Sequence, residues 1–234
     1  MRLQLAAVSI GMIGIASANP PQAGITPFAA RYQAEWRNIN VGTSDLELTV
    51  GDDPAHYLYT WKITAHGIFH MMYRDDLIQK SWFELRDEHV QPLKYTAVDG
   101  ASTAELEFDW DAGRAHGTTE KKSVDLKLKE GTQDVMSIQV EVMIDLKHGH
   151  LPKTFQIVDR DTVKEFIYQQ EGTARISTAL GSLDTVVVSS SHTGSNRVLK
   201  MWFAPSLGYV PVQAERARDG KLEFAMRIKS LSLR

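Results

Sequence analysis

The chain has 234 residues, with 26 Lys and Arg against 29 Asp and Glu, a formal net charge of −3, and no cysteine. That composition excludes a disulfide framework, a thiolate nucleophile and a cysteine metal site. A mildly acidic chain with interspersed signs also offers no basic face for nucleic acid, and its length suffices for one domain held by a hydrophobic core alone.

Arg2 precedes an apolar run from Leu3 to Ile15, which ends at Ala16-Ser17-Ala18. A basic start, an apolar stretch short of the roughly 20 residues that cross a bilayer, and small residues at a cut site predict a cleaved signal peptide over residues 1–18. Removing Arg2 with the leader leaves 25 − 29 = −4 charges on the mature chain. A periplasmic location is expected, with no lipid-bearing cysteine after the leader and no transmembrane segment in the mature chain. Residues 19–26 (NPPQAGIT) are Pro- and Gly-rich without periodicity and read as a flexible arm. Residues 27–234 read as a single β-rich domain.

From Phe28 the pattern is strand-like. Phe28, Ala30, Tyr32, Ala34 and Trp36 alternate with Arg31, Gln33, Glu35 and Arg37, the two-residue period of a sheet with one covered face. Leu46, Leu48 and Val50 continue it, then Tyr57, Tyr59, Trp61 and Ile63 after an Asp52-Asp53-Pro54 turn. Further series run through Leu106 and Phe108, Val124 to Leu128, Val186 and Val188, Leu199 to Phe203, and Leu222 to Ile228 after the hairpin dipeptide Asp219-Gly220. About eleven strands are expected, in a mainly β fold: a curved antiparallel sheet or incomplete barrel with one covering helix.

Two segments break the rhythm. Gly67 to Tyr73 is apolar without alternation, as in a short helix or a plug at a sheet rim. In residues 134–147, Val135, Ile138, Val142 and Leu146 form a helical stripe with Asp134 as N-cap, while Ile138, Val140, Val142 and Ile144 alternate as a strand would. Cap and length favour the helix, β-branching the strand; the helix is the preferred reading.

Catalytic and metal signatures are weak. His148-Gly149-His150 lacks the further ligands that a zinc site needs and has turn composition. His56, His66 and His70 have no evident nucleophile partner. Gly181-Ser182-Leu183-Asp184 and Ser189-Ser190-Ser191-His192 lack the Gly-x-Ser-x-Gly elbow of a hydrolase. The paired carboxylates Asp52-Asp53 and Asp75-Asp76 point to opposite faces of a strand or mark turns. No catalytic residue, metal ligand or cofactor is assigned, and no enzyme activity is expected.

The aromatic residues bear two readings. Trp36, Trp61, Trp82, Trp110 and Trp202 all fall in strand-like segments. Large rings fill the inside of a sheet, or they line a concavity able to hold an acyl chain, with Phe69, Met71 and Met72 as an adaptable lid. On the second reading the ligand-binding candidates are Trp36, Trp61, Phe69, Met71, Met72, Trp82 and Trp202.

Several signatures occur in order: Pro27-Phe28-x-Ala30-x-Tyr32 with Trp36 and Val41-Gly42; Gln91-Pro92-Leu93-Lys94-Tyr95; Gln133-Asp134-Val135-Met136-Ser137; and Met201-Trp202-Phe203-Ala204-Pro205 followed by Tyr209-Val210-Pro211-Val212. In their order and spacing the chain resembles the envelope family of domain of unknown function 3108, which occurs mainly in Gram-negative bacteria. The resemblance implies an exported β-rich protein, a shape similar to the open half-barrels of lipoprotein carriers, and a helix over residues 134–146. It implies no catalytic residue. The expected function is a periplasmic carrier for a hydrophobic small molecule, lipid or lipidated client; the alternative is a structural or protein-interaction module of the envelope.

Overall fold

A computed structural model describes residues 25–72, 76–100 and 102–234, with the Met72 side chain excepted. The predicted signal peptide and residues 19–24 of the arm lie outside the described residues. Ile25, at the end of that arm, packs against the core.

Fifteen strands form one sheet. They are β1 (Phe28–Trp36), β2 (Ile39–Val50), β3 (His56–Ala65), β4 (Leu77–Arg86), β5 (His89–Asp99), β6 (Ser102–Asp109), β7 (Arg114–Thr119) and β8 (Lys122–Lys127), then β9 (Gln133–Asp134), β10 (Thr154–Asp159), β11 (Thr162–Thr178), β12 (Gly181–His192), β13 (Arg197–Ala204), β14 (Val210–Arg218) and β15 (Lys221–Leu233). The order across the sheet is β8-β7-β6-β5-β4-β3-β2-β1-β15-β14-β13-β12-β11-β10-β9. Two meanders are therefore joined in the middle by antiparallel pairing of β1 with β15. All neighbours are antiparallel except β9 and β10, and the end strands β8 and β9 are not paired with each other, so the sheet is open.

The expected strand number was too low, and the physical reasons are specific. In β11 only Tyr168 of 17 residues is buried, so no covered face imposes alternation. The β7 sequence RAHGTT carries a single apolar side chain, Ala115. Three hairpins turn through residues without glycine: Arg37-Asn38, Asp87-Glu88 and Glu120-Lys121 all have positive φ. Positive φ at both central residues is the two-residue turn that matches strand twist, yet among the described turns of this kind Asp219-Gly220 alone carries the usual Asp-Gly pair at its centre. Bulges at Arg31/Tyr32, Trp82/Phe83 and Trp202/Phe203 add local twist and curl the sheet.

Among the described residues there are two α-helices, α1 (Ile68–Met72), in the segment read as a short helix or a plug, and α2 (Ser137–Lys147). The second connects β9 to β10 and packs against β4, β5 and β9. Ile138, Val140, Val142, Met143, Ile144 and Leu146 are all buried. Nine of its eleven residues are buried, and a helix covered over most of its surface need not show one apolar stripe, which explains why its sequence also alternates like a strand. Its start is held by Asp134, whose Oδ1 accepts the N–H of Met136 at 2.7 Å and of Ser137 at 2.8 Å. The other carboxylate oxygen accepts Ser81 Oγ–H at 2.6 Å, fastening the helix entry to β4. Gly149, at φ 73°, closes its C-terminus. Among the described residues no helix is long and apolar enough to cross a membrane.

Candidate functional site

The concave face of the sheet and the entry to α2 do not meet everywhere. Between them lies a cavity of two lobes, of about 450 Å³ and about 470 Å³. Both are lined by Val135, Gln139, Leu199, Met201 and Arg216, so the two lobes adjoin. Volumes of this size fall in the range that holds small ligands.

The first lobe is lined by apolar side chains together with Asp99, Glu120, Asp159, Arg160, Glu215 and Arg216. Alternation turns Leu46 of β2, Trp61 of β3, Leu199 and Met201 of β13, and Phe224 and Met226 of β15 toward it. The Trp61 indole N–H donates to buried Ser44 Oγ at 2.7 Å, and its ring meets Phe224 edge-on with centroids 6.5 Å apart. With the N–H satisfied, the indole presents hydrocarbon to the lobe. Tyr32, also in the lining, donates its hydroxyl to Pro211 O at 2.6 Å, and burial pushes its phenol well above the usual range. Gln139 is positioned by Tyr59, whose hydroxyl donates to its Oε1 at 2.9 Å.

The second lobe is polar. Arg160, Lys164, Arg197 and Arg216 line it against one carboxylate, Asp159, beside the hydroxyls of Ser190, Ser191 and Ser195. Lys164 pairs with Asp159 at 2.6 Å. Arg197 and Arg216 lie 3.4 and 3.7 Å from Glu223, which Arg218 also reaches at 3.0 Å. Three guanidinium groups thus share one carboxylate, leaving an excess of positive charge at that end of the sheet.

Of the residues singled out by sequence, Trp61 lies in the lining. Trp36 is 39% exposed with the Arg37 guanidinium 5.9 Å from its ring. Trp82 alternates with buried Ser81 and Phe83 and stands beside Lys80, 6.0 Å away. Trp202 packs partly against the core, on the opposite parity from Met201. Phe69 and Met71 sit on α1 near β3, and Met71 is 77% exposed. None of these five lines either lobe, and the Met72 side chain lies outside the described residues. Leu46, Leu199, Met201, Phe224 and Met226 were missed as lining residues although each sits in an alternating series. The basic lining had no sequence signal, because single Lys and Arg in strands read as solvent-facing.

A separate grouping lies on α2. His89, Glu141 and Asp145 each bring one potential ligand atom within 4.8 Å of the others. Burial, and then the neighbouring Glu141 charge, push the Asp145 carboxyl up to about 7, while a hydrogen bond to Glu141 raises His89.

Residues 31–226 match the model of a family described as protein of unknown function, DUF3108. No curated protein sequence matches the chain. Among solved structures, MucB is 10% identical with a TM-score of 0.34, and the match covers 88% of this chain and 53% of that one, so the chain spans about half of that protein's length. A protein of Bacteroides fragilis NCTC 9343, provisionally described as exported and of YmcC-like fold, is 8% identical over 91% of this chain and 97% of its own, with a TM-score of 0.32. One of Parabacteroides distasonis ATCC 8503, provisionally described as a lipoprotein, is 8% identical over 88% and 95%, with a TM-score of 0.33.

Proposed function

The chain belongs to the DUF3108 family, and from the two-lobed cavity we propose that it is a periplasmic, non-enzymatic carrier of an amphiphile with an apolar tail and an anionic head. The observation that carries this reading is the juxtaposition of a lobe whose lining includes Trp61, Phe224 and Met226 with a lobe lined by four cations and one carboxylate. Each methylene withdrawn from water in the first lobe contributes about 0.8 kcal/mol. The second lobe supplies charge-assisted hydrogen bonds to a carboxylate or phosphate. Export rests on the leader-like residues 1–18.

The test is native mass spectrometry and lipid extraction of gently purified protein, followed by titration with a fluorescent long-chain fatty acid. Copurifying lipid and saturable, displaceable binding are expected, with anionic phospholipid competing better than zwitterionic. Arg197→Gln is expected to erase that preference while sparing tail binding. Absence of both adducts and saturable uptake refutes the carrier reading. The interaction-module reading draws support from Ile68 and Met71, 70% and 77% exposed on α1; photo-crosslinking from position 68 to one envelope protein is its test.

A further inference from the structure

Glu141 and Asp145 are four residues apart on α2, which places both carboxylates on one helix face. The two-residue turn Asp87-Glu88 carries His89, the first residue of β5, to that face. His89 Nδ1 lies 2.8 Å from Glu141 Oε1, and Glu141 Oε2 accepts the Val90 N–H at 2.6 Å. Glu141 is therefore fixed from both oxygens. Asp145 is not: the residue is 5% exposed, and its Oδ2 is buried with no hydrogen-bond partner. An ion pair between His89 and Glu141 accounts for the first two side chains and leaves that oxygen unexplained, since an unpartnered buried carboxylate oxygen is costly.

We propose that His89, Glu141 and Asp145 form a binding site for a divalent transition-metal ion of the zinc type. Two carboxylates balance a dication, and an imidazole selects zinc-like ions over magnesium or calcium. Zinc holds nitrogen and carboxylate donors at about 2.0–2.2 Å, so three donors already within 4.8 Å of one another need only a small adjustment, in which His89 Nδ1 and Glu141 Oε1, now 2.8 Å apart, part slightly to admit the ion. The His89 side chain, 70% exposed, is free to make it. The ion takes the place of the proton held between His89 Nδ1 and Glu141 Oε1 and of the proton that Asp145 carries in its protonated form, and these protons leave to solvent. The Val90 N–H on Glu141 Oε2 supplies the outer hydrogen bond that orients a ligating carboxylate. Three protein donors on one side leave a fourth position open toward solvent, where His89 is exposed. None of the three residues lines either cavity lobe, so the metal site and the carrier reading stand or fall separately.

The experiment is calorimetric titration of untagged, metal-stripped protein with zinc chloride, with thermal melts in parallel. One zinc ion per chain is expected, with a rise in melting temperature on saturation. His89→Ala and Asp145→Asn should each weaken binding at least tenfold and abolish the thermal shift, with unchanged circular dichroism. His89 is exposed, so its replacement leaves the fold in place even if the buried substitution does not. Absence of saturable binding by the parent chain, or parental affinity retained in either folded variant, overturns the proposal.

Discussion

Single residues carry much of what holds this fold, and Asp134 is the clearest case. Burial pushes its carboxyl from 3.8 up to about 6, against the opposing pull of Ser81, Ser137 and Met136. A folded-state value above the unfolded one means the folded chain holds the proton more tightly. The contribution to stability is therefore full below the unfolded value and is lost as pH rises from about 4 through about 6. The difference is on the order of 3 kcal/mol. Asp134→Asn keeps an acceptor for the helix N–H groups and removes the titration, so urea denaturation of parent and variant should show a stability difference that shifts in favour of Asn between pH 4 and 7. Asp134→Ala strands the Ser81 hydroxyl and two backbone donors and should cost about 3 kcal/mol or more at either pH. Gly42 is constrained differently. A Cβ built there comes within 2.0 Å of the Thr64 carbonyl on β3, so Gly42→Ala should destabilise by about 1–3 kcal/mol, measured as a lower urea midpoint. The sequence pointed to Asp134 as N-cap of a helix from residue 134; the helix begins at Ser137 with Met136 at the N-cap, and Asp134, in β9, holds its start from outside. The bond from Asp134 to Ser81 joins residues 53 apart and had no local trace.

Elements were legible in proportion to how unequal their two faces are. In β1, Phe28, Ala30, Tyr32 and Ala34 are buried and their neighbours are not, so the period shows directly. In β11 both faces meet solvent along most of the strand, and pairing rather than burial specifies it. The α2 segment lies at the other extreme: nine of its eleven residues are buried, so neither period dominates its sequence. The turns follow the same logic, since Arg37, Asp87 and Glu120 enter the left-handed region because strand twist demands it, against their own preference. That conflict makes a prediction at this scale. Lys121→Gly, at φ 66° in the β7–β8 turn, relieves side-chain strain and should raise stability by about 0.5–1 kcal/mol, read from the thermal midpoint.

At the scale of the molecule, the sheet is too wide for one helix to fill. The alternating rows named which residues share the inner face, and the apolar lining residues Leu46, Trp61, Leu199, Met201, Phe224 and Met226 were among them. Whether those rows touch across the interior depends on curvature set by bulges and on where α2 docks, and neither is written in periodicity. Trp61 was found because it is large; Phe224 and Met226 went unmarked because nothing distinguishes a core residue from a lining one along a strand. Ala214 lines the first lobe from β14, and a larger side chain there occupies the space without adding charge. Ala214→Trp should lower fatty-acid affinity at least tenfold with circular dichroism unchanged. Undiminished uptake would place the ligand outside this cavity.

The pairing of β1 with β15 has a kinetic corollary. Phe28 lies opposite Leu233 and Trp36 opposite Phe224, so the central seam is made by segments roughly two hundred residues apart. Bringing such distant segments together is entropically slow, and β1 completes its pairing only once β15 is available. Until then each meander has a raw edge where the other belongs, exposed to any passing strand. A chain of this design closes its central seam late, and a holding chaperone has its longest opportunity before that seam forms.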